Sequence, residues 1–136
     1  MSDCIFCKIL SGEIPSATVY EDDEFKAILD RFPSNKGHVL ILPKTHVANI
    51  FEIDPDLAGR LFKLAAKIAP VMKETFGFEN MNIVQNNGPI AGQTVNHFHL
   101  HLIPRYENDS VNVSWKQLDL TDEEIEEVRA ALVKNL

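Results

Sequence analysis

The sequence predicts mixed α and β structure in a single domain, 1–136: an antiparallel meander, a long amphipathic helix, then further strands and a closing helix. Three patterns carry this. Short β-rich runs alternate with turn residues in the first third of the chain. Apolar residues recur at helical spacing between Asp54 and Gly77. Apolar and histidine residues then alternate strictly from His97 to Ile103.

Ala17–Tyr20 and Phe25–Leu29 read as strands parted by the acidic turn Glu21-Asp22-Asp23. Pro33-Ser34-Asn35-Lys36-Gly37 is a turn. His38–Leu42 reads as a buried strand ended by Pro43, which completes the meander. Asp54 can cap the next helix and Pro55 suits its first turn. Leu57, Leu61, Leu64, Ala65, Ile68 and Met72 form its apolar stripe, Gly77 can end it, and Pro70 should kink or break it. Met81–Gln85 is the next strand, Asn86–Gly92 a turn-rich loop, and 97–103 the central histidine strand. A final helix begins at Thr121, which has capping-box spacing to Glu124. Leu120 and Ile125 are placed to staple its start. Asp122, Glu123 and Glu124 suit that start and Lys134 suits the end. Glu107–Leu118 has no regular pattern, and its Trp115 is read as packing on the core or on a partner.

The chain is 45% hydrophobic, enough for a real core at 136 residues. With 13 basic and 20 acidic residues its formal charge is −7, which argues against duplex nucleic-acid binding. Its longest aliphatic run, Val39–Leu42, cannot span a membrane. Met1-Ser2-Asp3-Cys4 lacks the layout of a secretory signal, so a cytoplasmic location is expected. Two cysteines do not make a disulfide scaffold.

His97, His99 and His101 occupy alternate positions, so on a strand they would share one face at roughly 6–7 Å spacing. Phe98, Leu100 and Leu102 would fill the other. A row of imidazoles costs desolvation without improving a core, which favours chemistry over packing. Imidazole is a nucleophile, a proton carrier and a metal ligand near neutral pH. The preceding loop supports an anion site. Gly92 admits close backbone approach, and Asn86, Gln93 and Thr94 supply uncharged donors.

Cys4-x-x-Cys7 has zinc-ligand spacing. From spacing alone the other two ligands could be any of His38, His46, His97, His99 and His101, and the alternative is a pair of buried cysteines. His38 reads either as support for the histidine row or as a satisfied core residue. Asp30, at a strand end, is placed to accept ribose hydroxyls or simply to face solvent.

The run His97–Ile103 resembles the histidine-triad signature, His-φ-His-φ-His-φ-φ. Cys4–Ile9, Ile14-Pro15, Gly37–Lys44 and Ala91–Val95 extend the likeness, so it covers about residues 4 to 106. It is greatest to the nucleotide-binding branch of the histidine-triad superfamily. The stretch Gly88–Arg105 is also similar to the dinucleoside polyphosphate hydrolases. The resemblance implies an α+β fold with a five-stranded antiparallel sheet, one long helix and a C-terminal helix, commonly a homodimer. It implies that His99 attacks the α-phosphorus of a purine nucleotide or conjugate, forming a nucleotidyl-histidine that water hydrolyses to the monophosphate. It places His97 and His101 beside the reaction and His38 in the same cluster. It assigns Asn86, Gln93 and Thr94 to phosphate, Asp30 to ribose, and Ile5, Phe6, Ile9, Ile28 and Leu40 to the base. It implies a structural zinc on Cys4, Cys7, His46 and His97. Arg31 departs from the pattern, since relatives often carry an apolar residue there.

The resulting expectation is a nucleoside phosphoramidase-like hydrolase. A dinucleoside polyphosphate hydrolase or nucleotidyl transferase would share its chemistry, and a zinc-stabilised nucleotide-binding or interaction module would lack turnover.

Overall fold

A computed structural model describes residues 3–136; Met1 and Ser2, part of the N-terminal stretch and of the 1–136 domain read above, lie outside the described residues. Five strands form one antiparallel sheet: β1 (Thr18–Glu21), β2 (Phe25–Leu29), β3 (Val39–Pro43), β4 (Asn80–Val84) and β5 (Leu100–Arg105), in the order β1-β2-β3-β5-β4. Helices α1 (Ile5–Ser11), α2 (Pro55–Phe76) and α3 (Asp122–Asn135) complete the fold. The expected α+β class, five-stranded sheet, long helix and C-terminal helix are all present. Among the described residues no helix is long and apolar enough to cross a membrane.

All five residues of β3 are buried. A strand reads as a continuous apolar run when both faces are covered, and both are. One face packs Phe25, Ala27, Val39 and Ile41 against Leu61, Leu64, Ala65 and Met72 of α2. The other packs Ile28, Leu40 and Leu42 against Phe6 and Ile9 of α1. Buried Lys26 fits this second face because its ammonium donates to the Ile9 carbonyl, 3.2 Å away near the C-terminal end of α1, where the helix dipole favours a cation.

The long helix has the expected bounds. Asp54 accepts from the Asp56 amide at 3.3 Å, and Gly77 closes the helix in a left-handed conformation. It runs unbroken through Pro70, against the expectation of a break there. The carbonyl that Pro70 leaves without a partner belongs to Ala66, and both residues are exposed, so water can satisfy it at little cost. The histidine strand is shorter than expected. It begins at Leu100, and His97 lies in a bend. Its departure from the sheet is explained by the bonds described below. Sequence periodicity gives no sign of α1, whose seven residues are too short to display one. Trp115 is 83% exposed and so does not pack on the core of this chain.

Gly37, which precedes His38, has φ +90°, and a Cβ there would sit 2.9 Å from the Phe76 ring. Gly37→Ala is expected to lower stability by about 1–3 kcal/mol, from left-handed backbone strain and displacement of that ring. The midpoint of urea unfolding measures it, and an unchanged midpoint would contradict the strain argument.

Candidate functional site

The N-terminal turn of α1 presents both cysteines to the sheet. Cys4 caps the helix, its Sγ accepting from the Cys7 amide at 3.3 Å. His46 follows the end of β3, and its Nδ1 lies 3.3 Å from Cys7 Sγ and 3.1 Å from His97 Nδ1. His97 Nδ1 lies 3.5 Å from Cys4 Sγ and 3.6 Å from Cys7 Sγ. A tetrahedral zinc with its usual bond lengths places N and S ligands about 3.5 Å apart and two N ligands about 3.3 Å apart. The four side chains therefore fit the ion. They fit it chemically as well. His97 is fully buried and its Nε2 lies 2.9 Å from the Pro43 carbonyl. A carbonyl only accepts, so Nε2 carries the proton and Nδ1 offers its lone pair to the cluster. Burial also pushes the His97 pKa down and, most strongly of the influences on it, pushes the Cys7 thiol up.

His99 is held the opposite way round. Its Nδ1 donates to the backbone carbonyl of His97 at 2.7 Å, which leaves the lone pair on Nε2. The Phe6 ring packs edge-on between the first two imidazoles, 5.9 Å from His97 and 5.0 Å from His99. The row thus divides: His97 turns to the cysteines, while His99 and His101 lie together at 4.9 Å between ring centroids.

A chain of bonds sets the His101 tautomer. The Ser34 amide donates to His38 Nδ1 at 3.0 Å, so His38 carries its proton on Nε2. That atom lies 2.9 Å from His101 Nδ1, which must accept, and 3.6 Å from Asp30 Oδ2. His101 then keeps its proton on Nε2. Asp30, His38 and His101 are close enough to hold a metal. The Ser34 amide argues against it, because His38 Nε2 is occupied by hydrogen. Burial lowers the pKa of His38, His99 and His101, and that of His101 falls to about 4.

Two cavities adjoin these rings. One, of about 500 Å³, is bounded by Cys4, Ile5, His46, Thr94 and Asn96. The other, of about 580 Å³, is bounded by Asp30, His38, Asn86, His101 and the segment Ser110–Val113. Of the expected phosphate contacts, Thr94 and Asn86 reach these walls. Asn86 also donates to the Gly92 carbonyl at 3.4 Å, and Gly92 has φ +95°. Gln93 is committed to the loop instead. Its amide nitrogen donates to Ala48 and Val95 carbonyls, and its amide oxygen accepts from Gly88. Of the five apolar residues expected at a base, Phe6, Ile9, Ile28 and Leu40 are packed together in a filled cluster, while Ile5 is half exposed beside the first cavity.

Sequence reasoning missed what positions the second cavity's far wall. The Asp109 carboxylate accepts from Arg105 Nε and Nη2, from Asn35 Nδ2 and from the Tyr106 amide, each at 2.9 Å. Arg105 in turn donates to the Val111 carbonyl at 3.0 Å. The available signal was an Arg and an Asp four residues apart at the end of a strand.

The family model described as "HIT domain" matches residues 11–108. The chain is similar to a solved member of the HIT family from Bacillus subtilis, 42% identical with a TM-score of 0.93, covering 98% of this chain and 97% of that one. It is 39% identical to the adenosine 5'-monophosphoramidase hnt1 of Schizosaccharomyces pombe, covering 90% of each. A Zn-bound histidine triad family protein from Mycobacterium smegmatis is 35% identical with a TM-score of 0.77, covering 98% of this chain and 95% of the other.

Proposed function

The chain belongs to the HIT domain family, and on that premise we propose that it hydrolyses a purine nucleotide conjugate at its α-phosphate, through a nucleotidyl intermediate on His99. The single observation that carries this is the His99 tautomer: Nδ1–H bonded to the His97 carbonyl, Nε2 bare. A binding module has no need of a buried imidazole nitrogen kept free of hydrogen. The named phosphoramidase relative supports a nitrogen leaving group, so a nucleoside 5'-phosphoramidate is the favoured substrate over a dinucleoside polyphosphate.

Each residue then has a role. His99 Nε2 forms the bond to phosphorus as the bond to the leaving group breaks, and the amine departs with that electron pair and a proton taken from solvent. Water then attacks the same phosphorus and gives up a proton to solvent, the P–Nε2 bond breaks, the monophosphate is released and the Nε2 lone pair is restored. His101 offers its Nε2–H to a phosphoryl oxygen, and Thr94 and Asn86 add donors where negative charge develops. His38 is a positioning residue that fixes His101. Gln93 holds the loop 88–95 in shape, and Gly92 lets it approach the phosphate. Asp30 accepts from the ribose, and Ile5 at the margin of the Phe6, Ile9, Ile28 and Leu40 cluster meets the base. Cys4, Cys7, His46 and His97 would hold zinc; with four protein ligands its contribution is structural, ordering α1 against the His97 bend. A homodimer is proposed from the family resemblance and a cytoplasmic location from the sequence.

Incubation with adenosine and guanosine phosphoramidates beside dinucleoside polyphosphates, with monophosphate release as the readout, tests the reading. Rapid quenching should trap a nucleotide on His99. Binding without release of monophosphate from any of these would leave the interaction-module reading in its place.

The pH response follows from burial. An imidazole whose folded pKa lies below its usual 6.5 or so stays neutral, and so competent, as pH falls through that value. The kcat/KM profile is therefore expected to stay flat from pH 8 to about 6 and to decline only as pH approaches 4, where His101 protonates. Stability has the same sign. The unfolded chain binds the proton first, so the His101 contribution is complete above about pH 6.5 and is lost as pH falls toward 4. A kcat/KM inflection near the usual imidazole value would contradict the assignment.

A further inference from the structure

The rings of His38 and His101 can share their hydrogens in two ways. In one, His38 Nε2–H donates to His101 Nδ1 across 2.9 Å, and His101 keeps a hydrogen on Nε2. In the other, His101 Nδ1–H donates back, His38 carries its hydrogen on Nδ1, and His101 Nε2 is bare. Only the first leaves His101 able to donate beyond the pair. Asp30 Oδ2 lies 3.6 Å from His38 Nε2, too far to accept a bond and decide between them. The Ser34 amide decides, because it aims its own hydrogen at His38 Nδ1 from 3.0 Å.

Ser34 is exposed. Water therefore competes for its amide, and the turn that carries it has to be held. Asn35, the next residue, holds it. Its Nδ2 donates one hydrogen to the Pro104 carbonyl and the other to Asp109 Oδ2, each at 2.9 Å. Both acceptors are fixed. Pro104 is fully buried in β5. The Asp109 side chain is 6% exposed and also accepts from Arg105 and from the Tyr106 and Val111 amides. Arg105 is anchored in turn on Asn82 of β4, at 2.7 Å. A continuous set of bonds thus runs from the end of the sheet to the turn, and its last member lies one residue from the amide that orders the imidazoles.

We propose that Asn35 is a positioning residue for the reaction: by tying the turn 33–37 to Pro104 and Asp109, it aims the Ser34 amide at His38 and so keeps a hydrogen on His101 Nε2. Its effect on turnover rests on the hydrolysis proposed above, whereas its effect on the two imidazoles does not.

Two-bond nitrogen–hydrogen correlation spectra of heavy-nitrogen protein, recorded at about pH 8 where ordinary imidazoles are neutral, report which ring nitrogen bears hydrogen. Wild type is expected to show bare Nδ1 and protonated Nε2 in both His38 and His101. In Asn35→Ala both rings should become mixtures of the two arrangements. The kcat/KM for a nucleoside phosphoramidate should fall about fivefold, the weight of one ordinary hydrogen bond in an equilibrium. Asn35→Asp, of the same shape but with no donor, should behave alike. Asn35 is half-buried in a surface turn and belongs to neither core cluster, so both variants keep the fold. Tyr106→Phe removes a different bond to the same turn, from the Tyr106 hydroxyl to the Lys36 carbonyl at 2.8 Å. It lies on the side away from Ser34 and should leave the imidazoles and kcat/KM unchanged. Mixing in the Asn35 variants of a protein whose wild type releases no monophosphate would uphold the hold on the imidazoles and sink the hydrolase reading instead. Ring signals that neither Asn35 variant changes would overturn the proposal. So would mixing already present in wild type, equal mixing in Tyr106→Phe, or mixing that leaves the kcat/KM of an active enzyme untouched.

Discussion

His99→Ala is expected to abolish turnover, lowering kcat at least a thousandfold, while nucleotide affinity changes by no more than a few fold. The magnitude is that of removing an activated nucleophile from a preorganised site. The asymmetry follows from the geometry. His99 Nε2 has the lone pair that must bond to phosphorus, whereas the donors that would hold the ground-state phosphate belong to other side chains, Thr94, Asn86 and His101. The ring also packs on Phe6 and is buried, so loss of activity has to be separated from loss of fold. Matching circular dichroism spectra and an unfolding midpoint near that of wild type make that separation. Equilibrium titration with a nucleoside monophosphate then reports binding. A variant that still turns over at wild-type rate would remove the covalent route, whatever else the site does.

Much of this site is legible in the sequence because the residues that carry its chemistry also carry distinctive spacing. Strict alternation brings His99 and His101 together, and Cys-x-x-Cys can only come to a point on a turn. The long helix announces both its ends through Asp54 and Gly77, and α3 announces its start through Thr121 and Glu124, whose capping box forms as expected. What sequence does not reveal is decided by backbone groups. The carbonyls of Pro43 and His97 and the amide of Ser34 determine which nitrogen of His97, His99, His38 and His101 bears hydrogen. No residue type marks those atoms. The same bonds explain why the histidine strand begins late: His97 is drawn out of the sheet by Pro43 and the cysteines, and regular pairing resumes at Leu100. The bracing role of Gln93 is hidden for a related reason. An amide beside a glycine suits a ligand and a loop brace equally well, and only the positions of Ala48, Val95 and Gly88 distinguish them.

Replacing Cys4 and Cys7 together by serine should release bound zinc and lower stability by about 3–5 kcal/mol, the range for opening a buried set of mutually dependent polar groups. The serine pair is chosen because it leaves α1 able to form. Cys4 caps that helix through a sulfur acceptor, and serine is a better cap. The loss therefore reports the ligand cluster rather than the helix. Without an ion, the lone pair of His97 Nδ1 faces His46 Nδ1 at 3.1 Å with no proton of its own to share, since Nε2 holds it against Pro43. An ion held by these residues would take up both lone pairs. Turnover per folded molecule should fall less than about tenfold, because the carbonyl that orients His99 belongs to the His97 backbone and does not ligate the ion. Elemental analysis of purified protein should find about one zinc per chain, as a four-ligand site requires, and the serine variant should contain little. Addition of a strong chelator to wild type should reproduce the shift in melting temperature, while the serine variant should not respond to it. Wild-type protein free of zinc, or a double variant that melts with wild type, would return Cys4 and Cys7 to the alternative of two packed thiols. Position 97 would then stand as a buried histidine whose orientation serves only the carbonyl behind His99.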